Sequence, residues 1–281
     1  MKISTVHTEL TTSSAHLDLY CLGDIHKFSD THDAKLWAHC LKELKSKPNA
    51  YSIVAGDLTD DDRPSTRERR RVMYSDRPEA YTKEDLQHMD YLDHHMVPDF
   101  KSIAPRCLGI LDGDHFRMYA DGTTSTQYIC KRSGIPYLGE RMAWVRWIFK
   151  IKGTNQSCMY TIYVSHGQGS ASTIGGDINS LIRQVACFDG DLMIGGHTHK
   201  HVPVHLPILY PSQDGTHIKE RLRTFVRVGS FMRGYLENKV SYVEQAGYTA
   251  QHRGWCTVHL TLSRSNATNR NLAITEVTAT H

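Results

Sequence analysis

Leu17-Asp18-Leu19-Tyr20-Cys21-Leu22-Gly23-Asp24-Ile25-His26 is the stretch on which the fold turns. Residues 17–22 alternate and then run apolar into Gly23-Asp24, which reads as a strand ending in a loop. Outward from there, residues 33–46 carry Leu36, Trp37, Cys40, Leu41 and Leu44 at helical spacing, and Pro48-Asn49 ends that helix. Residues 50–55 form a short apolar strand closed by Gly56-Asp57. Strand, helix, strand is the unit of a parallel sheet, so the spacing predicts an α/β fold.

The same grammar continues. Residues 105–111 read as a strand ending at Gly113-Asp114-His115, residues 158–164 as one ending at Ser165-His166-Gly167, and residues 191–194 as one ending at Gly195-Gly196-His197-Thr198-His199. Thr82 with Asp85 makes a capping box ahead of a helical stripe of Leu86, Met89, Leu92, Met96 and Phe100. Further helices are expected over 125–131 and around Ile178, Leu181, Ile182 and Val185, with strands over 137–138 and 144–150. After His199, residues 203–211 read as irregular. Residues 224–228, 255–262 and 271–278 read as strands of a second, largely antiparallel sheet packed on the first. The expectation is one domain over 1–281, with a charged insertion at about 60–80.

Composition excludes several classes. Hydrophobic residues are 40% and charged residues 22% of the 281, as in soluble globular proteins. No run of eighteen apolar residues is present, so no membrane span is expected. The first twelve residues are polar and lack a signal core, which predicts a cytoplasmic location. The seven cysteines form no C-x-x-C pair and read as reduced core thiols. A net charge of +3 is too small a field for a module that does nothing but hold nucleic acid.

The chemistry lies in the strand ends. Asp24, Asp57 and Asp114 supply three carboxylates, and His26, His115, His166, His197 and His199 supply five imidazoles. Taken singly, a Gly-Asp after a strand or a Ser-His-Gly is a turn or a satisfied histidine, whereas Gly196-His197-Thr198-His199 points to metal by itself. Placed together at the carboxyl ends of strands, where open α/β sheets bind their ligands, they can hold two divalent cations. Residues two apart on an extended chain point the same way, so Asp24 with His26, and His197 with His199, can each grip one ion.

This order of motifs, from Gly23 to His199, resembles the calcineurin-like metallophosphoesterase family, whose pattern is D-x-H, G-D, G-N-H, an isolated H and G-H-x-H. The resemblance implies a four-layer αββα sandwich, two facing mixed β-sheets flanked by helices. It implies that Asp24, His26 and His199 hold one metal, that Asp114, His166 and His197 hold a second, and that Asp57 bridges them. His115 would stabilise the transition state or protonate the leaving oxygen. Asp60, the second aspartate of Gly56-Asp57-Leu58-Thr59-Asp60, would orient it. The cofactors implied are two divalent ions, manganese first, with iron, zinc, nickel and magnesium as alternatives. The activity implied is hydrolysis of phosphate esters by hydroxide activated on the metals.

Two departures stand out: Asp114 replaces the family's usual Asn and adds a negative charge, and Phe116 follows His115 where an acidic residue is frequent. Position 61 is Asp where protein phosphatases of the family have Arg. With the mild basicity and the Arg67–Arg71 run, this favours phosphodiester substrates, a nucleotide or nucleic acid, over phosphomonoesters. A non-catalytic metal-binding scaffold of the same fold is the other alternative. Arg63 and Arg117 are candidate substrate contacts, with Lys200 and His201 beside the last ligands and the 229–235 loop as further candidates.

Overall fold

The computed structural model describes residues 1–60, 82–169, 171, 173–238, 240, 244, 250, 252–264 and 272–280. Arg63 and the Arg67–Arg71 run lie outside them. In chain order the elements are β1 (Lys2–Leu10), β2 (Ala15–Leu22), α1 (Ala34–Ser46), β3 (Ala50–Val54), α2 (Lys83–His95), α3 (Val97–Ile103), β4 (Cys107–Leu111), α4 (Ser125–Ser133) and β5 (Tyr137–Gly139). They continue with β6 (Met142–Ile151), β7 (Ser157–Ser165), α5 (Ile174–Gln184), β8 (Leu192–Gly195), β9 (His201–Pro211), β10 (Ile218–Val228), β11 (Cys256–Arg264) and β12 (Leu272–Thr280).

Two six-stranded sheets result, ordered β12-β11-β2-β3-β4-β5 and β1-β6-β7-β8-β10-β9. In the first, β2 to β5 run parallel and β11 pairs antiparallel with β2. In the second, β7, β8 and β10 run parallel, β6 lies antiparallel to β7, and β9 lies antiparallel to β10. Side-chain parity sets the layers. Leu17, Leu19 and Cys21 of β2 face the core between the sheets, where they meet Trp147, Ile162, Ile194, Val226 and Val258. Tyr20 and Leu22 point the other way and are covered by Trp37, Leu41 and Leu44 of α1, with Leu92 and Phe100. Outside the second sheet, Tyr163, Met193 and Phe225 pack under Ile178 and Leu181 of α5. The order helix, sheet, sheet, helix is the expected four-layer α/β sandwich.

Local signals account for the helix ends. Asp33 caps α1, accepting from the Leu36 N–H at 3.2 Å. Thr82 and Asp85 form the expected reciprocal box, with Asp85 N–H to Thr82 Oγ1 at 3.1 Å. The seven cysteines are all free thiols, five of them buried.

Four sequence expectations need correcting. The stripe from Leu86 to Phe100 is two helices: Pro98 sits in the first turn of α3, and its missing N–H breaks the ladder. Residues 2–10, read only as a polar terminus, form strand β1 alongside β6. Residues 203–211 are not irregular; they belong to β9, an edge strand paired with β10 over its whole length. Pro203, Pro207 and Pro211 share one parity, so all three take positions that donate nothing to β10. The C-terminal strands do not make a sheet of their own: β10 joins β8, while β11 and β12 extend the first sheet beside β2.

Candidate metal centre

Five strand ends meet in one place. Asp24 follows β2, Asp57 follows β3, Asp114 follows β4, His166 follows β7, and His197 and His199 follow β8. The first sheet supplies the carboxylates and His26, and the second supplies three histidines, so the site lies across the joint carboxyl edge of both sheets. Ligand atoms converge within 4.8 Å in overlapping groups: Asp24, His26 and His199; Asp24, Asp57 and His166; Asp114, His166 and His197. His26 Nε2 and His166 Nε2 stand 3.6 and 3.2 Å from the same oxygen, Asp57 Oδ2. His199 Nε2 is 3.6 Å from Asp24 Oδ1, and His197 Nδ1 is 3.2 Å from Asp114 Oδ2.

The backbone is bent to achieve this. Asp24, His26, Asp57, His197 and His199 all have φ between 45° and 74°, a left-handed region that side-chain-bearing residues rarely adopt. Each such residue costs on the order of 1–3 kcal/mol and persists only where its surroundings hold it. Here hydrogen bonds hold it: the Asp24 carboxylate accepts the His197 N–H at 3.0 Å, and Asp57 Oδ1 accepts the N–H groups of Asp114 and His115 at 2.6 and 2.8 Å. Asp57 therefore uses one oxygen to assemble the neighbouring loop and turns the other toward both imidazoles. Gly56, at φ 109°, has no room for a side chain: a Cβ there would lie 2.7 Å from Gly113 Cα and 2.8 Å from His166 Nδ1.

These residues fit divalent cations. Nε2 of His26 and Nε2 of His166 are buried without a hydrogen-bond partner, a costly state that a coordinated cation would relieve. The His166 Nδ1–H donates to the Ala55 carbonyl at 2.8 Å, which turns the Nε2 lone pair inward. Burial works against a charge on Asp57, yet His166 and His26 hold its carboxyl well below the usual range. Burial also works against a charge on His166, but Asp57 pushes it up to about 9. Burial pushes Asp24 up to about 6, against the pull of His166.

His115 stands beside this set. Its ligand atom converges with those of His26 and Asp57, not with those of its neighbour Asp114. Asp60 Oδ1 lies 3.1 Å from His115 Nδ1 and 3.3 Å from His26 Nδ1. One carboxylate thus fixes two rings through their Nδ1 atoms. Those two hydrogen bonds hold Asp60 well below the usual carboxylate range, and the bond to Asp60 raises the His115 imidazole above its ordinary value.

The outlying candidates separate from the cluster. The Arg117 guanidinium is bound to Asp85, at the start of α2, at 3.1 Å. Arg117, read from the sequence as a candidate substrate contact, ties the loop after His115 to that helix and keeps a part-exposed side chain. Lys200 Nζ turns to the Ala171 and Thr173 carbonyls, and His201 stacks on His252. The 229–235 loop does reach the site's frame: the Phe231 N–H and the Ser230 hydroxyl donate to the Asp24 carbonyl at 3.1 and 3.0 Å.

Two arginines at the site belong to no sequence motif. Arg141 binds Asp114, and Arg227 is buried beneath the His197–His199 loop, with Nε 2.9 Å from Asp177 Oδ2.

No protein-family model and no curated protein matches the chain. Among solved structures it is similar to Vps29 from Entamoeba histolytica in complex with zinc, at 14% identity and TM-score 0.39, covering 94% of this chain and 97% of that one. It is also similar to a predicted phosphoesterase from Streptococcus pneumoniae, at 11% identity and TM-score 0.34, covering 95% and 98%. A third is GAP50, the anchor in the inner membrane complex of Plasmodium, at 9% identity and TM-score 0.40, covering 94% and 88%. Likenesses this weak carry no argument, and the reading of the site rests on its geometry.

Proposed function

We propose that the chain is a dinuclear-metal phosphoesterase. The observation that carries the reading is the convergence of the buried Nε2 atoms of His26 and His166 on one oxygen, Asp57 Oδ2, with His115 held beside them by Asp60. In this reading Asp24, His26 and His199 hold one cation, Asp114, His166 and His197 the other, and Asp57 serves both. The nitrogen and oxygen donors, without thiolate, suit manganese, iron, zinc, nickel or magnesium, and manganese is our choice. Two bound cations would make hydroxide available near neutral pH and draw charge from the phosphoryl oxygens.

The residues do the rest. His115, whose imidazole is raised by its bond to Asp60, would face the substrate with Nε2. As the new phosphorus–oxygen bond forms and the bond to the leaving group breaks, the leaving oxygen takes the Nε2 proton. Asp60 Oδ1 then keeps its hydrogen bond to Nδ1–H and holds the ring in place. The mild positive charge and the arginine-rich stretch favour phosphodiesters such as nucleotides or nucleic acid as substrates.

The test is turnover of bis-(p-nitrophenyl) phosphate against p-nitrophenyl phosphate with Mn²⁺, for wild type and His115→Ala. Diester turnover that drops by about 10²-fold or more in the variant supports the reading. A preference for the monoester overturns the substrate class. Bound metal without turnover of either ester makes the chain a scaffold.

A further inference from the structure

Asp114 carries a charge that the resembled family's usual amide lacks, and the structure places a cation against it. Arg141 lies in the two-residue link between β5 and β6, where the chain crosses from one sheet to the other. Its Nη1 meets Asp114 Oδ1, and also the Gly113 carbonyl at 3.4 Å, while Nη2 donates to the Gly167 carbonyl at 2.9 Å. The guanidinium thus spans the Asp114 loop and the His166 loop. Its fork leaves Asp114 Oδ2 directed at His197 Nδ1, 3.2 Å away, and at His166 Nε2, 3.7 Å away. The division of labour copies that of Asp57: one oxygen is fixed by the protein and the other is offered to the centre.

We propose that Arg141 is the counter-charge that makes Asp114 act as the equivalent of a neutral ligand. The inference rests on the dinuclear-metal reading above. Three carboxylates and one guanidinium leave the centre with the same net charge that two carboxylates and an amide would give it. A guanidinium suits this role because it stays protonated at any working pH and holds a carboxylate in a fixed plane. Arg141 is a positioning residue, acting through Asp114. Its backbone acts separately, since the Arg141 carbonyl accepts the His166 N–H at 2.9 Å, a contact that side-chain changes leave in place.

The pairing predicts opposite signs for the two single changes. Asp114→Asn strands an uncompensated guanidinium beside the cation site and weakens Mn²⁺ binding there by about tenfold or more. Arg141→Met frees the full charge of Asp114 and tightens it. The double variant returns to within about threefold of wild type, since the two changes cancel. Binding is read by calorimetric titration of purified full-length protein with Mn²⁺ and by the Mn²⁺ paramagnetic resonance signal, with no substrate present. Arg141→Gln, which keeps a donor for Asp114 without the charge, replaces Arg141→Met if that variant does not give a folded far-ultraviolet spectrum.

Weakening in both singles, with further weakening in the double, makes Arg141 a mechanical clamp and overturns the inference. So does Asp114→Asn binding that stays weak whatever stands at 141. A wild type that binds no Mn²⁺ overturns the metal reading itself, and this inference with it.

Discussion

Arg227→Met is the substitution with the largest expected effect on stability away from the ligands. Arg227 and Asp177 are both fully buried and form a 2.9 Å ion pair. Arg227 Nη1 also donates to the Gly196 carbonyl at 3.0 Å, and the Thr198 hydroxyl donates to Asp177 Oδ2 at 3.1 Å. The pair therefore holds the loop that carries His197 and His199 from below. Removing the guanidinium leaves a buried carboxylate that already has one oxygen, Oδ1, without a hydrogen-bond partner. Breaking one side of a buried pair costs about 3–5 kcal/mol. In a domain of this size, at about 2–4 °C per kcal/mol, the melting midpoint falls by roughly 6–20 °C. Differential scanning calorimetry of metal-free protein measures it. The apolar double replacement, Asp177→Leu with Arg227→Met, recovers at least half of the loss, because the uncompensated charge is gone. A single variant melting within about 2 °C of wild type would mean the pair bears no weight, and the reasoning fails.

Two further outcomes follow from the geometry. In Asp60→Asn the His115 imidazole loses the carboxylate that raises it. The alkaline limb of the pH–rate profile, where protonated His115 is lost, moves to lower pH; an unmoved limb assigns the acid to another group. Gly113→Ala drives a Cβ into Asp57 Oδ1 at a φ of 88°. The strained backbone alone costs about 1–2 kcal/mol, so both the melting midpoint and Mn²⁺ affinity fall, and an unchanged affinity would show that Asp57 is not held through this turn.

The candidate site was more legible in the sequence than the topology around it. Asp24, Asp57, Asp114, His166 and His197 each follow an apolar run, and apolar runs report strands directly because burial requires them. A helix start was legible where a capping box marks it, as at Thr82. Strand β9 was not legible, because three prolines mimic a loop and only its place at the sheet edge excuses them. Sheet membership of β10, β11 and β12 was not legible either, since pairing partners are set by packing between distant segments. Gly195 shows the same limit on a small scale. In the sequence it is only the glycine that follows a strand, but a Cβ there would lie 2.8 Å from Arg227 Nη1, so its absence makes room for a buried guanidinium. Arg141 and Arg227 left no pattern, because a counter-charge is recognised only by what it faces.

The prolines of β9 also bear on how this protein can assemble. An exposed edge strand is a template on which another chain can add a strand, whether in a specific complex or in an aggregate. Pro203, Pro207 and Pro211 withhold an amide hydrogen at every fourth position along that edge. An incoming strand would find its ladder interrupted each time it tried to register. Strand addition along β9 is therefore disfavoured, and the other sheet edges among the described residues, β1, β5 and β12, carry no such series of prolines.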